Sequence, residues 1–274
     1  DIIDKEAVLD NYRLVILPDD LIVTEDFQKK LESYVEKGGK IISCGKGGLS
    51  ENDRYPECFG TEHLGQIDKF PDFVIPEGKM AEGLDEGNEY VIYQRGEKIK
   101  PVAATTILEA CAPYFSREGE YFCSHSYTPS AKGERYPAAV MNNNTIIFSH
   151  PLFTQYRKCA PNWCKKLINN AIRLLLPDRL VSHDGPSTMT VSLLKQPDKN
   201  RYCAHILSYV PVRKSETIDI IEDRTKLYNI NIRFNLPAEI RSVRLVPDGT
   251  VLKVQDGAVT VPEINGYAVL EINY

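Results

Sequence analysis

Apolar residues first gather in a continuous run, YRLVILPD at 12–19, that stops at a proline and two acids. A short run without alternation predicts a strand buried on both faces. Thr24 then stands where a helix N-cap belongs, and Glu25 and Asp26 fall in the first turn, where the helix dipole favours negative charge. Phe27, Leu31, Tyr34 and Val35 share one face of a helix predicted over 25–37. Gly38 and Gly39 end it, and KIISCG at 40–45 opens a second buried strand. The order strand, helix, strand is a βαβ unit.

Residues 46–100 are rich in glycine, proline and charge, with short apolar pieces at 73–75 and 90–93, and read as loops and short strands decorating a sheet. YPAAVM at 136–141, an Asn-Asn-Asn turn and TIIF at 145–148 predict a hairpin. A second long helix is predicted over 161–176, with Pro161 at its start and Cys164, Leu167, Ile168, Ala171, Ile172 and Leu175 in one stripe. Pro177 and Asp178 end it, and from about residue 187 the period changes to two. The clearest case is NINIRFNL at 229–236, which turns Ile230, Ile232, Phe234 and Leu236 inward. Further short strands, separated by PDKN at 197–200, PDG at 247–249 and DG at 256–257, predict an antiparallel sandwich. The expected fold is therefore α/β: a flavodoxin-like or class I amidotransferase-like three-layer domain over residues 1–180, then a small all-β antiparallel sandwich over 181–274.

Composition narrows the function classes. Hydrophobic residues make up 42% and charged residues 26% of 274, with net charge −5, a globular mix. No basic cluster stands out to neutralise phosphates, which argues against a nucleic-acid partner. No apolar run reaches the roughly 18 residues that cross a bilayer. Seven cysteines at scattered spacings form neither a disulfide framework nor a zinc pattern, and imply free thiols in a reducing compartment, the cytoplasm, with export of a longer parent left open. The chain opens as though inside a larger protein, with the first strand of its layer upstream.

Chemistry is sparse. Cys44 and His150 each follow a predicted strand, and a thiolate activated by an imidazole would suit an amidotransferase-like hydrolase. No helix pattern directly follows Cys44, and Leu152 and Phe153 stand where an acid would orient the histidine, so a buried thiol and a structural histidine are the stronger reading. GKGG at 45–48 lacks the phosphate-cradle spacing. The densest polar–aromatic stretch is PYFSR at 113–117 with YFCSHSYTP at 121–129, read as a strand. Its rings, Arg117 and His125 suit a sugar or an interface, while Cys123 and His125 lack a second metal-binding pair. No metal and no cofactor are expected. In the sandwich, Tyr202, Tyr209, Tyr228 and Tyr267 are the aromatics a carbohydrate-binding module would need on one face.

At this point a resemblance enters. LVILPDD at 14–20 and LESYVEKGGK at 31–40 resemble the β-galactosidase trimerisation domain, an amidotransferase-like module. PYFSR at 113–117, FCSH at 122–125, SHPLF at 149–153 and NAIRLLLP at 170–177 are similar to one bacterial group, some of whose members act as α-L-fucosidases. In that group a glycoside hydrolase barrel precedes this module and a terminal β-sandwich. The resemblance covers nearly the whole chain; its opening motif is widely shared among amidotransferase-like folds, and the middle phrases are more specific. It implies a non-catalytic, C-terminal assembly portion of an enzyme acting on fucosides or galactosides. The implied partners are its own N-terminal catalytic barrel and further copies of itself. No catalytic residue carries over. Because such modules join subunits and can close one side of a neighbour's active site, the resemblance makes Arg117, His125, Tyr127 and His150 candidates for contact with a carbohydrate ligand.

Overall fold

The computed structural model describes residues 1–116 and 123–274. Two compact units divide the chain, Asp1–Pro177 and Asp178–Tyr274. The described residues are mostly sheet, with three α-helices.

In the first unit the elements run β1 (Leu14–Leu17), α1 (Glu25–Glu36), β2 (Lys40–Cys44), β3 (Thr61–Gln66), β4 (Asp72–Ile75) and β5 (Tyr90–Ile92). They continue with β6 (Glu97–Pro101), β7 (Thr105–Pro113), β8 (Ser130–Asn142), β9 (Thr145–Phe148), α2 (Leu152–Cys159) and α3 (Asn162–Leu175). Seven of the strands form one sheet in the order β1-β2-β9-β8-β7-β4-β5. Its first three strands are parallel, and the rest is joined antiparallel. β3 and β6 form a separate antiparallel ribbon.

The parallel end is covered on both faces, as its unbroken apolar runs require. Leu31 and Tyr34 of α1 pack with Val15, Leu17, Ile41 and Ile147 on one face. Cys164, Leu167, Ala171 and Leu175 of α3 pack with Ile42, Ile146 and Phe148 on the other. Helix α1 begins where Thr24 accepts a hydrogen bond from Phe27 N (3.3 Å). It ends as Gly39 N donates to Tyr34 O (2.9 Å) with Gly38 at φ +94°, a geometry that glycine enters freely. Gly39 also lies under the Tyr34 ring, where a Cβ would come within 2.3 Å.

Two sequence expectations change. A separate helix, α2, precedes α3, because Ala160 takes a left-handed conformation and breaks the run. Its inward side carries Leu152 and the polar Gln155, too little apolar period to read from sequence. The stretch at 123–129, read as a strand, lies outside any strand.

The second unit holds β10 (Val181–His183), β11 (Met189–Gln196), β12 (Arg201–Ser208), β13 (Val212–Arg213), β14 (Asp219–Ile220), β15 (Leu227–Phe234), β16 (Ser242–Val246), β17 (Val251–Leu252), β18 (Ala258–Ile264) and β19 (Tyr267–Asn273). One sheet runs β11-β12-β19-β16-β17 and another β10-β15-β18, with β13 and β14 as a small ribbon. Ile206, Val243 and Leu270 of the larger sheet share a core with Ile230, Ile232, Phe234 and Val261 of the smaller. Two antiparallel sheets thus close on one apolar layer.

Leu167 is fully buried between α3 and the sheet. Leu167→Ala is expected to cost about 2–5 kcal/mol. Urea unfolding followed by the fluorescence of Trp163, the single tryptophan, measures it, and a loss under roughly 1 kcal/mol would contradict the packing described.

Candidate functional site

In a sheet of this kind the first place to look is the C-terminal edge of the parallel strands. Here that edge is closed by its own side chains. The carboxylate of Asp19 accepts from Thr154 N (2.6 Å) and Phe153 N (3.4 Å) at the start of α2, and burial raises its pKa. The Tyr55 hydroxyl donates to Gly45 O (2.6 Å). Cys44 lies beneath, fully buried, and desolvation pushes its thiol well above the ordinary range. A protonated, enclosed thiol is a poor nucleophile.

His150 is engaged elsewhere. Its Nε2 lies 2.9 Å from Asp72 Oδ2 and its Nδ1 2.8 Å from Ser149 Oγ. With Asp72 as acceptor, Nε2 carries the proton and Nδ1 accepts from the serine hydroxyl. Tyr136 also donates to Asp72 Oδ2, and burial, then the neighbouring carboxylate, raise its pKa. This serine–histidine–aspartate chain is at most 1% exposed throughout, so it faces no substrate-sized space. A second buried pair adjoins it: His63 Nε2 meets Glu97 Oε2 at 2.7 Å, and Glu97 N donates to Ser149 O (2.7 Å). Between them Gly96 fits against the imidazole, where a Cβ would come within 2.7 Å of His150 Cδ2. The network links β4, β6 and β8 to the segment after β9.

Two residues before Asp72 and Glu97, the segments that lead into β4 and β6 carry an aromatic and cationic rim. The Arg95 guanidinium lies 4.1 Å from the Phe70 ring centroid, a cation–π distance. Phe70 N donates to Ser116 Oγ (3.2 Å). Tyr127 sets its ring edge-on to Phe73 (5.8 Å) and Tyr93 (6.3 Å) and stays 39% exposed. Tyr93 N in turn donates to the buried Gln155 Oε1 (3.1 Å) of α2. Thr128 Oγ1 donates to Phe115 O (2.8 Å) and Tyr114 N to Pro129 O (3.1 Å), which clamps the segments on either side of 117–122. His125 is exposed beside them, and Arg117 lies outside the described residues. The structure therefore brings Tyr127 and His125 to one loop and keeps His150 under it. Arg95 and Tyr93 belong to this rim although no spacing in the sequence marked them; they follow the short strand β5, and only the fold carries them to the loop.

The tyrosines of the second unit do not form one surface. Tyr202 is buried, Tyr228 lies on the smaller sheet, and Tyr267 on the larger, where its hydroxyl meets His205 Nδ1 (2.7 Å). Among the described residues no group of three or more His, Cys, Asp or Glu is placed to hold a metal ion, and no helix is long and apolar enough to cross a membrane.

Comparison with known proteins follows the fold closely. Residues 1–114 match the family described as the β-galactosidase trimerisation domain. The whole chain superposes on α-L-fucosidase isoenzyme 2 from Paenibacillus thiaminolyticus with a TM-score of 0.92 at 28% identity, covering 100% of this chain and 42% of that one. A β-galactosidase from Bacillus circulans sp. alkalophilus gives 0.59 at 16% identity, covering 98% and 34%. One from Rahnella sp. R3 gives 0.57 at 16%, covering 99% and 34%. No curated protein matches the chain. The chain is thus similar to a trimerisation-type region of glycoside hydrolases, and it spans well under half the length of these enzymes.

Two measurements check this site. Asp72→Ala strands His150 and Tyr136 without their buried acceptor and is expected to cost about 3–5 kcal/mol in urea unfolding; a near-neutral result would deny the network its structural role. In timed alkylation near pH 7, exposed Cys159 reacts first. Cys44 and Cys58 lag, the latter because burial pushes its thiol up to about 12; a Cys44 as fast as Cys159 would reopen nucleophilic chemistry.

Proposed function

We propose that this chain is the non-catalytic, C-terminal assembly portion of a bacterial glycoside hydrolase that cleaves fucosides or galactosides. The superposition of the full chain on part of the fucosidase carries this reading. The enclosure of Cys44 and of the Ser149–His150–Asp72 chain supports it, since neither offers a nucleophile to solvent. On this reading the first unit is an amidotransferase-like layer whose catalytic elbow is occupied by Asp19, Tyr55 and the start of α2. Its partners are the enzyme's own catalytic barrel and other copies of itself, in the cytoplasm. The rim of Phe70, Tyr93, Arg95 and Tyr127, with His125 on the adjoining loop, faces a neighbouring subunit or the carbohydrate held there, and Arg117 is a further candidate from the sequence. Rings stacked over sugar faces and a planar guanidinium suit that task.

The isolated chain is expected to turn over neither nitrophenyl fucoside nor nitrophenyl galactoside, whereas the full-length enzyme hydrolyses one of them as an oligomer in sedimentation equilibrium. Turnover by the chain alone, or a monomeric full-length enzyme, would overturn the reading. In the full-length enzyme, Tyr127→Ala is expected to raise KM by up to roughly tenfold with kcat little changed, because a ring contact contributes about 0.5–1.5 kcal/mol; an unchanged KM would remove the rim from substrate contact.

A further inference from the structure

A cleft of about 720 Å³ in the first unit is walled by the 52–57 loop on one side and by β3 with Val102 and Ala103 on the other. That size falls in the range of small-molecule sites. One of its walls is the His63 imidazole, only 5% exposed. Nε2 meets Glu97 Oε2 at 2.7 Å, and Glu97 is buried too. With the carboxylate as acceptor, Nε2 carries the proton and Nδ1 presents its lone pair. Nδ1 is buried and meets no hydrogen-bond partner. The Tyr55 ring lies edge-on to the imidazole at 5.6 Å, but its hydroxyl is committed to Gly45 O. A buried acceptor left unpaired is costly, so a wall that keeps one calls for a donor from outside the chain.

The mouth of the cleft decides the chemistry of that donor. The carboxylates of Asp53 and Glu57 and the guanidinium of Arg54 stand exposed there. Both signs are present, so a ligand of net charge meets repulsion as well as attraction. A neutral ligand with several hydroxyls meets only partners, because each hydroxyl both donates and accepts. Carboxylates and guanidiniums also engage adjacent groups in pairs. Leu64 (50% exposed) and Val102 (66%) add an apolar lip that suits the C–H face of a ring. We propose that this cleft binds a neutral polyhydroxylated ring of monosaccharide size, one of whose hydroxyls donates to His63 Nδ1. The site shares no residue with the rim of Tyr127 and Arg95, and it stands whether or not the chain belongs to a glycosidase.

Titration of the chain with L-fucose, D-galactose and myo-inositol, followed by NMR of the backbone amides and the His63 ring nitrogens, tests it. At least one of the three is expected to saturate with a Kd on the order of 1–10 mM, moving residues 52–64 and the Nδ1 resonance as that atom gains a donor. Glu57→Ala is expected to weaken this binding about two- to tenfold, the loss of one hydrogen bond. Val102→Trp fills the mouth from an exposed position and is expected to abolish it. His63→Phe keeps a ring and removes the acceptor, with the same loss expected; if it fails to fold, the other two variants carry the test. No saturable shift with any of the three ligands, shifts confined to Tyr93 and Tyr127, cyclohexanol bound as tightly as the sugars, or unchanged binding in Val102→Trp would overturn the proposal. An inert cleft in an oligomeric glycosidase sinks this inference alone, while a sugar-binding cleft in a monomeric enzyme sinks the assembly reading alone.

Discussion

The first unit depends on one buried contact, the Asp72–His150 bond. A sheet that is parallel at one end and antiparallel at the other has no continuous ladder to fix how its halves meet. Asp72 starts β4, deep in the antiparallel half, while His150 follows β9, the last parallel strand in the order. Joining them in a dry interior sets the separation of the halves through a strong, directional bond. Tyr136 from β8 and Ser149 add a donor to Asp72 Oδ2 and a partner for His150 Nδ1, while Asp72 Oδ1 is buried without a hydrogen-bond partner; Glu97 hangs the β3–β6 ribbon on the same segment through Ser149 O. Removing any one partner would leave a further buried polar group unpaired, so the members of the cluster act as a unit.

That arrangement clarifies why a chain with histidines, serines and cysteines after its strands is proposed to lack chemistry of its own. The residues with catalytic-looking neighbours are those whose hydrogen-bonding capacity the frame consumes. What remains exposed in front is the ring of Tyr127, held against Phe73 and Tyr93, beside the half-buried Arg95 guanidinium over Phe70. Such a surface binds by shape and stacking rather than by proton transfer, which fits an accessory part better than a reaction centre.

Local rules in the sequence carried much of the architecture. Thr24, the acids after it and Gly38–Gly39 delimited α1 to within a residue or two, because capping and glycine conformation are local physics. The Asn-Asn-Asn turn and the period-two strands of the second unit were legible for the same reason. The seven-stranded order was not, since pairing β4 with β7 depends on loops of no periodicity. Helix α2 escaped because Gln155, a polar residue, takes the buried position. The site was partly legible: Tyr127 and His125 stood out as an aromatic cluster, whereas Arg95 and Tyr93 reach it only through tertiary placement. His150 showed the reverse. Its setting after a strand pointed outward to chemistry, and the partner that turned it into a strut, Asp72, lies 78 positions away.

Gly96 ties the rim to the rigid frame behind it. With no room for even a methyl group beside the imidazole, the 93–97 turn is locked by atomic crowding, and Arg95 next to it is held half-buried with its guanidinium over the Phe70 ring. A glycine too crowded to be replaced thus fixes the backbone on which the cation–π pair is mounted. The position of the rim's cation is therefore set from behind, by crowding at one α-carbon against a buried imidazole.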